Sequence, residues 1–317
     1  MTEQFKEKLK RYIQNAKSVG VFTHVRPDGD TIGSGLAIYS AVKALGKEAE
    51  IYCGDMPPKR LASLPGCNEI KTSCNIKHDL AIAVDCASIE RLGPLQRDFL
   101  RCRDKVLIDQ HKTQSGFGDL YIVEEAGAVG ELVYEFLDYA GWLTLDAAAC
   151  LYAAIVTDTG CFSFSSTTGQ TMKIAAELMT TGIDAFGITY QTYRAKSIEV
   201  FNLANRALVS CRFFDGNTIA VLTFTREMFK ETGASILDTE GIITGIVNID
   251  TVEFAAALTE VNQYEYRVSV RTKYKIDAAE LAASFGGGGH TRASGFKLSG
   301  FYEDVVDKII KSARDRM

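Results

Sequence analysis

The chain has 317 residues, 46% of them hydrophobic and 24% charged, an ordinary globular composition too long for most single cores, so two domains are expected. Its net charge of -5 argues against long duplex nucleic acid as a partner, which calls for a strongly basic face; a polyanionic substrate should be small and held through metal ions. No apolar run has the length of a membrane span, and Met1 to Asn15 is charged and polar without an apolar signal core, so no membrane partner and a cytoplasmic location are expected.

Met1 to Ala16 reads as a helix with Phe5, Leu9 and Tyr12/Ile13 on one face. Val19 to Thr23 is a short apolar strand that ends at His24. Leu36 to Leu45 repeats at helical spacing and stops at Gly46. Glu50 to Cys53, Leu80 to Val84 and Lys105 to Ile108 are further apolar strands, the last two running into Asp85 and Asp109. Two helices follow, Gly130 to Tyr139 and a second that Thr144 caps and that runs toward Asp158; another covers Gln170 to Thr180. Continuous apolar strands alternating with helices predict an α/β fold with a parallel sheet covered on both faces, over residues 1–188. The amphipathic stretch 189–210 reads as a linker helix. Residues 211–317 read as a smaller α+β domain. Its strands are Thr218 to Phe224, Thr251 to Val261 and Tyr264 to Arg271, the last two joined by a turn at Asn262-Gln263, and its helices are Asp277 to Ser284 and Tyr302 to Arg314. Eight cysteines without a Cys-x-x-Cys pair read as reduced core thiols.

Three strands end in polar groups: His24 with Asp28 and Asp30, then Asp85, then Asp109 to His111. In open α/β sheets such strand ends share one edge. Imidazole with carboxylates suits a divalent metal of moderate hardness. The loop from His24 to Asp30 can supply two adjacent ions, Asp85 can bridge them and Asp158 can complete the shell. Such a pair of ions clamps the oxygens of a phosphoryl displacement and lowers the pKa of water. Taken singly, Pro27-Asp28-Gly29-Asp30 is also what a solvated turn looks like. Gly33-Ser34-Gly35 is expected to open a helix whose N-terminal N–H groups favour anions, with Ser34 on the substrate. Gly286 to Gly289 before His290 lets backbone approach a ligand closely, with Arg271, Lys273, Lys275 and Arg292 nearby. His78 reads as a solvated loop residue.

These segments resemble the motifs of the DHH phosphoesterase superfamily. Thr23-His24 to Ser34 resembles its first motif. Val84-Asp85 with Ser88 to Gly93 resembles the second, Ile108-Asp109-Gln110-His111 the Asp-His-His motif, and Thr157-Asp158-Thr159-Gly160 the fourth. Gly287-Gly288-Gly289-His290 with Ala293 to Gly295 resembles the signature of the DHH-associated C-terminal domain. The resemblance spans nearly the whole chain. It implies a two-domain phosphoesterase of the nanoRNase/pAp phosphatase and cyclic-dinucleotide phosphodiesterase group, with manganese as the metal and the active site in the cleft between the domains. By that pattern His24, Asp28 and Asp85 hold one ion. Asp30, Asp85 and Asp158 hold a second, together with the first histidine of Asp-His-His. His111 contacts the scissile phosphate, Asp109 orients its neighbours, and His290 and Arg271 grip substrate phosphate; Gly287, Gly288, Gly289 and Arg292, beside them, are read from the residues as further substrate contacts.

The departure is Gln110, which stands where the family has that first histidine. Three readings stay open: Gln110 coordinates through oxygen or water, the second ion is held weakly, or hydrolysis is lost and ligand binding kept. The expected activity is manganese-dependent hydrolysis of short oligoribonucleotides, linear or cyclic dinucleotides such as pApA or c-di-AMP, or pAp. The alternatives are a nucleotide-binding sensor and a pyrophosphatase or exopolyphosphatase. Whether the chain forms a homodimer is left open by the sequence.

Overall fold

Strand residues of the N-terminal half send alternate side chains into two different cores. Val19, Val21, Leu80, Ile82, Val84, Val106 and Ile108 enter one; Phe22, Ala81, Ala83 and Leu107, lying between them, enter the other. A sheet whose strands are apolar at every position must be covered on both faces, and this one is. The computed structural model describes residues 1–111, 116–239 and 241–317. It divides into two units, Met1–Ala195 and Lys196–Met317.

In the first unit β1 (Ser18–Thr23), β2 (Glu48–Cys53), β3 (Leu80–Val84), β4 (Asp104–Asp109) and β5 (Leu120–Val123) form a sheet of order β2-β1-β3-β4-β5. All its pairings are parallel, so the expected α/β domain is present. Helices Glu3–Asn15, Gly29–Ala44, Val129–Ala140, Leu145–Asp158 and Gly169–Thr180 pack into the larger core. The segments Ile89–Leu95 and Gln96–Arg101 close the other face. Strand β5 lies outside the expected elements: it is only four residues long, and of these only Ile122 is buried.

From β1 the chain passes through Gly29–Ala44 to β2 on one side, then returns to β3 on the other. The β1/β3 boundary is therefore the point where connections diverge, and there the strand ends leave an open crevice for ligands. Phe22 pairs with Ala83 in register, which makes His24 and Asp85, each one residue beyond its strand, neighbours at that crevice.

Two expectations are corrected in this unit. The helix expected from Leu36 begins seven residues earlier, at Gly29, with Asp28 as its N-cap. Its first turns carry polar and glycine residues and are almost wholly buried, so they lack the amphipathic period that marks a helix in sequence. Gly33 is small because a Cβ there would lie 2.4 Å from the Cys150 carbonyl oxygen; the helices 29–44 and 145–158 are in backbone contact. His78 is not a solvated loop residue. It is 1% exposed and its Nε2 lies 2.8 Å from the Tyr52 hydroxyl.

In the second unit β6 (Arg212–Phe214), β7 (Ile219–Phe224), β8 (Phe254–Asn262), β9 (Glu265–Thr272), β10 (Gly288–His290) and β11 (Ala293–Ser299) form a sheet of order β10-β11-β9-β8-β7-β6. Only β7 and β8 pair in parallel. Helices Ala278–Ala283 and Tyr302–Arg314 cover one face; Ile198–Val209 and Ile242–Val247 cover the other. This mixed sheet with its helices is the smaller α+β domain read from the sequence. The stretch 189–210 holds a turn of helix, Tyr190–Arg194, and then the separate helix Ile198–Val209, whose Leu203 and Ala207 belong to the second unit's core. The glycine run is not a loop throughout: it passes into the edge strand β10. Gly287 and Gly289 lie so close to β11 that a Cβ would meet the Gly295 carbonyl oxygen at 2.3 Å and Ser294 Cα at 2.5 Å. All eight cysteines are free thiols, six of them buried. Among the described residues no helix is long and apolar enough to cross a membrane.

Candidate metal centre

His24 is 2% exposed and fixed from behind. Its backbone N–H lies 3.4 Å from Thr31 Oγ1, and that hydroxyl is 3.3 Å from the Val84 carbonyl. The ring Nδ1 lies 2.9 Å from the Val25 carbonyl oxygen, and Nε2 is turned to the carboxylates. Asp28 Oδ2 lies 3.6 Å and Asp85 Oδ2 3.3 Å from Nε2. Ligand atoms of His24, Asp28 and Asp85 all lie within 4.8 Å of one another. Burial alone would lower the His24 pKa, but the two carboxylates outweigh it and hold the imidazole up at about 9.

The backbone aims each carboxylate differently. Asp28 caps its helix, Oδ1 accepting from the Asp30 and Thr31 N–H groups at 3.1 Å each. Burial works against its charge, yet the His24 hydrogen bond prevails and holds its pKa below the usual value. Asp85 leaves β3 with φ of +56°, a conformation aspartate tolerates better than most residues. Burial first, then the Asp28 charge, push it up to about 6. Asp30 is 1% exposed and lies at the N-terminus of helix 129–140, where it accepts from the Val129 and Gly130 N–H groups at 2.6 and 3.0 Å. That end of a helix favours an anion, but burial and the Asp85, Asp158 and Asp28 charges still raise its pKa. Asp158 closes helix 145–158, where the dipole disfavours negative charge. Burial and Asp85 push it up to about 7, against a hydrogen bond from Gln110.

His111 and Asp109 form the other side. Asp109 is fully buried, and its Oδ1 lies 2.8 Å from His111 Nδ1. That bond, more than any other influence, raises the His111 pKa. Asp85 Oδ1 lies 3.8 Å from the same nitrogen, so Asp85 faces His24 with one oxygen and His111 with the other. Asp85, Asp109 and His111 form a second convergent group. Among the described residues Asp109 Oδ2 is buried without a hydrogen-bond partner, as an acceptor is where a proton or cation is to be met. The donor set thus suits a divalent ion at His24, Asp28 and Asp85.

One candidate contact is corrected. Ser34 does not face a ligand from a helix start; it sits in the second turn, fully buried, and its hydroxyl donates to Asp30 Oδ1 at 3.0 Å. The reason is the earlier helix start at Gly29. Arg91 was missed: its Nη2 lies 3.1 Å from His24 Nδ1, and its carbonyl accepts the Val25 N–H at 2.8 Å. The only signal was its place in Ser88 to Gly93.

In the second unit, β10, β11 and β9 align His290 with Ala293 and Ala293 with Arg271. Residues directly opposite across a sheet share a face, so an imidazole and a guanidinium flank a methyl group on one row. His290, Arg292 and Gly288 are exposed, and among the described residues nothing lies within 4 Å of a Cβ built at Gly288.

Residues 18–155 match the DHH family, N-terminal domain, and residues 216–317 match the DHHA1 domain. A Thermus thermophilus protein named bifunctional oligoribonuclease and PAP phosphatase NrnA is 30% identical over 304 residues, covering 94% of this chain and 89% of that protein. A Bacillus subtilis protein of the same name is 28% identical over 310 residues, covering 96% of each. The crystal structure of an exopolyphosphatase-related protein from Bacteroides fragilis shares the fold, with a TM-score of 0.92 at 24% identity over 99% of this chain and 96% of that one. With both domains in order and the strand-end residues converging, the chain belongs to the DHH phosphoesterase superfamily, in the NrnA group, and is a hydrolase acting on phosphoester bonds.

Proposed function

We propose that the chain is a manganese-dependent phosphoesterase acting on small nucleotides: short oligoribonucleotides, linear or cyclic dinucleotides, or pAp. The observation that carries the reading is the convergence of His24, Asp28 and Asp85 at the β1/β3 divergence, beside a histidine held by a buried aspartate. The substrate class is supported by the names of the Thermus and Bacillus relatives.

An ion held by His24, Asp28 and Asp85 would offset their carboxylate charge and lower the pKa of a water nucleophile. Asp109 favours the protonated form of His111, and in that form the imidazolium can stabilise a phosphoryl oxygen, where negative charge grows in the transition state. The row of His290, Ala293 and Arg271 suits a terminal phosphate, since a guanidinium offers planar paired donors and the alanine leaves room between the two longer side chains. Gly288 and Arg292 add an open backbone and a further cation to that edge. Eight free thiols suit a reducing compartment, and the reading places the enzyme in the cytoplasm.

The test is release of mononucleotide from labelled dinucleotides, and of phosphate from pAp, by purified protein with Mn²⁺, with pyrophosphate as a competing substrate. Hydrolysis of the nucleotides is expected. Preference for pyrophosphate would overturn the substrate class, and nucleotide binding without turnover across several metals would make the protein a sensor.

A further inference from the structure

Asp30 has its acceptor capacity filled by the protein. Oδ1 accepts from the Ser34 hydroxyl and the Gly130 N–H, each at 3.0 Å. Oδ2 accepts from the Val129 N–H at 2.6 Å and the Gln110 amide at 3.4 Å. A carboxylate offers about four lone-pair sites in all, so little is left for a cation. The same Gln110 Nε2 donates to Asp158 Oδ2 at 2.8 Å. An amide set between two carboxylates presents its NH2 group, because its carbonyl would be repelled by both. Gln110 Oε1 is buried and, among the described residues, without a hydrogen-bond partner. Among the described residues, neither convergent group of ligand atoms includes Asp30 or Asp158.

We propose that the Gln110 amide takes the place of a second cation in this chain. It ties Asp158 to Asp30 through its two N–H bonds, and the centre binds one ion tightly, on His24, Asp28 and Asp85. The inference rests on the metal-dependent reading above for the presence of an ion, and on the Gln110 contacts for the count. A neutral donor cannot supply the charge a second ion would, so His111 takes a larger share of the phosphoryl charge. The orphaned Oε1 keeps the arrangement one-sided: rotating the amide to bring oxygen forward would remove the donors from both carboxylates.

The experiment is titration of the metal-free protein with Mn²⁺, read by calorimetry and by electron paramagnetic resonance, with no substrate present. One equivalent and the spectrum of an isolated ion are expected. Gln110→His should add a second equivalent and an exchange-coupled spectrum. Asp158→Asn should leave the single equivalent in place, its affinity changed by less than the roughly 10- to 100-fold typical of a lost supporting contact, and it serves as the test if Gln110→His does not fold. Two equivalents of similar affinity in the unaltered protein, loss of the tight site in Asp158→Asn, or no binding at all would overturn the inference. One equivalent in a protein without turnover upholds it while counting against the hydrolytic reading, so the two fail separately.

Discussion

Asp28 and Asp30 stand two residues apart and have opposite surroundings. Asp28 faces His24 Nε2 at 3.6 Å and is held below the ordinary carboxylate pKa; Asp30 is buried among N–H donors and carboxylates and is pushed up. His24 joins them in a proton balance that a metal must upset. Its pKa stands at about 9 in the absence of a metal, so at pH 7 the imidazole is protonated. A cation can take Nε2 only when that proton leaves. Manganese binding at pH 7 should therefore release protons, and fewer as the pH rises toward 9, with affinity increasing over the same range. Calorimetry at one pH in buffers of different ionisation enthalpy measures this; identical heats in all buffers would show that His24 is not a ligand.

At the scale of elements, the contact between helices 29–44 and 145–158 sets the distance from Asp28 to Asp158. At Gly33 the backbones come close: an added Cβ would lie 2.4 Å from the Cys150 carbonyl oxygen. Gly33→Ala should push the helices apart at a cost of about 1–3 kcal/mol, the range for overpacking a tight interior. It should also weaken manganese binding, read by thermal melts with and without metal. On the other face of the sheet, His78 is buried beside Tyr52. Burial lowers its pKa in the folded chain, with Arg101 and Lys71 adding to the effect and Glu50 opposing it. The unfolded chain takes up a proton near the ordinary histidine value of about 6.5 and the folded one does not. This contribution to stability is present above that pH and is lost as pH falls below it. His78→Gln should flatten the fall in melting temperature between neutral and mildly acid pH; an unchanged slope would place the acid sensitivity in the carboxylates.

At the scale of the whole molecule the chemistry is divided. The carboxylates and His111 belong to the first unit and the His290–Ala293–Arg271 row to the second. A division of labour predicts separable effects. Arg271→Ala should raise KM by about 10- to 100-fold, the worth of one or two charge-assisted hydrogen bonds, while manganese affinity stays unchanged. A fall in metal binding in that variant would show that the two functions are not separate. The two units have independent cores, so the substitution also leaves the first unit's packing untouched.

What was legible in the sequence follows from periodicity and strand-end chemistry. Apolar runs ending at His24, Asp85 and Asp109 declare a parallel sheet with polar groups on one edge, because a strand buried on both faces leaves only its ends for function. The order of the motifs, and the gap at Gln110, are likewise properties of the chain alone. Other features depended on neighbours distant in sequence. Helix 29–44 starts at Gly29, capped by Asp28, because another helix covers its glycine-rich first turns, and that burial converts Ser34 from an expected ligand contact into a donor to Asp30. His78 is buried because Tyr52 and Gly20 enclose it. Above all, the role of Gln110 depends on which atom of its amide faces Asp158 and Asp30, which are 48 and 80 residues away in sequence. Residue type alone shows that an imidazole is missing there; only tertiary packing shows that its place is taken by a hydrogen-bond donor.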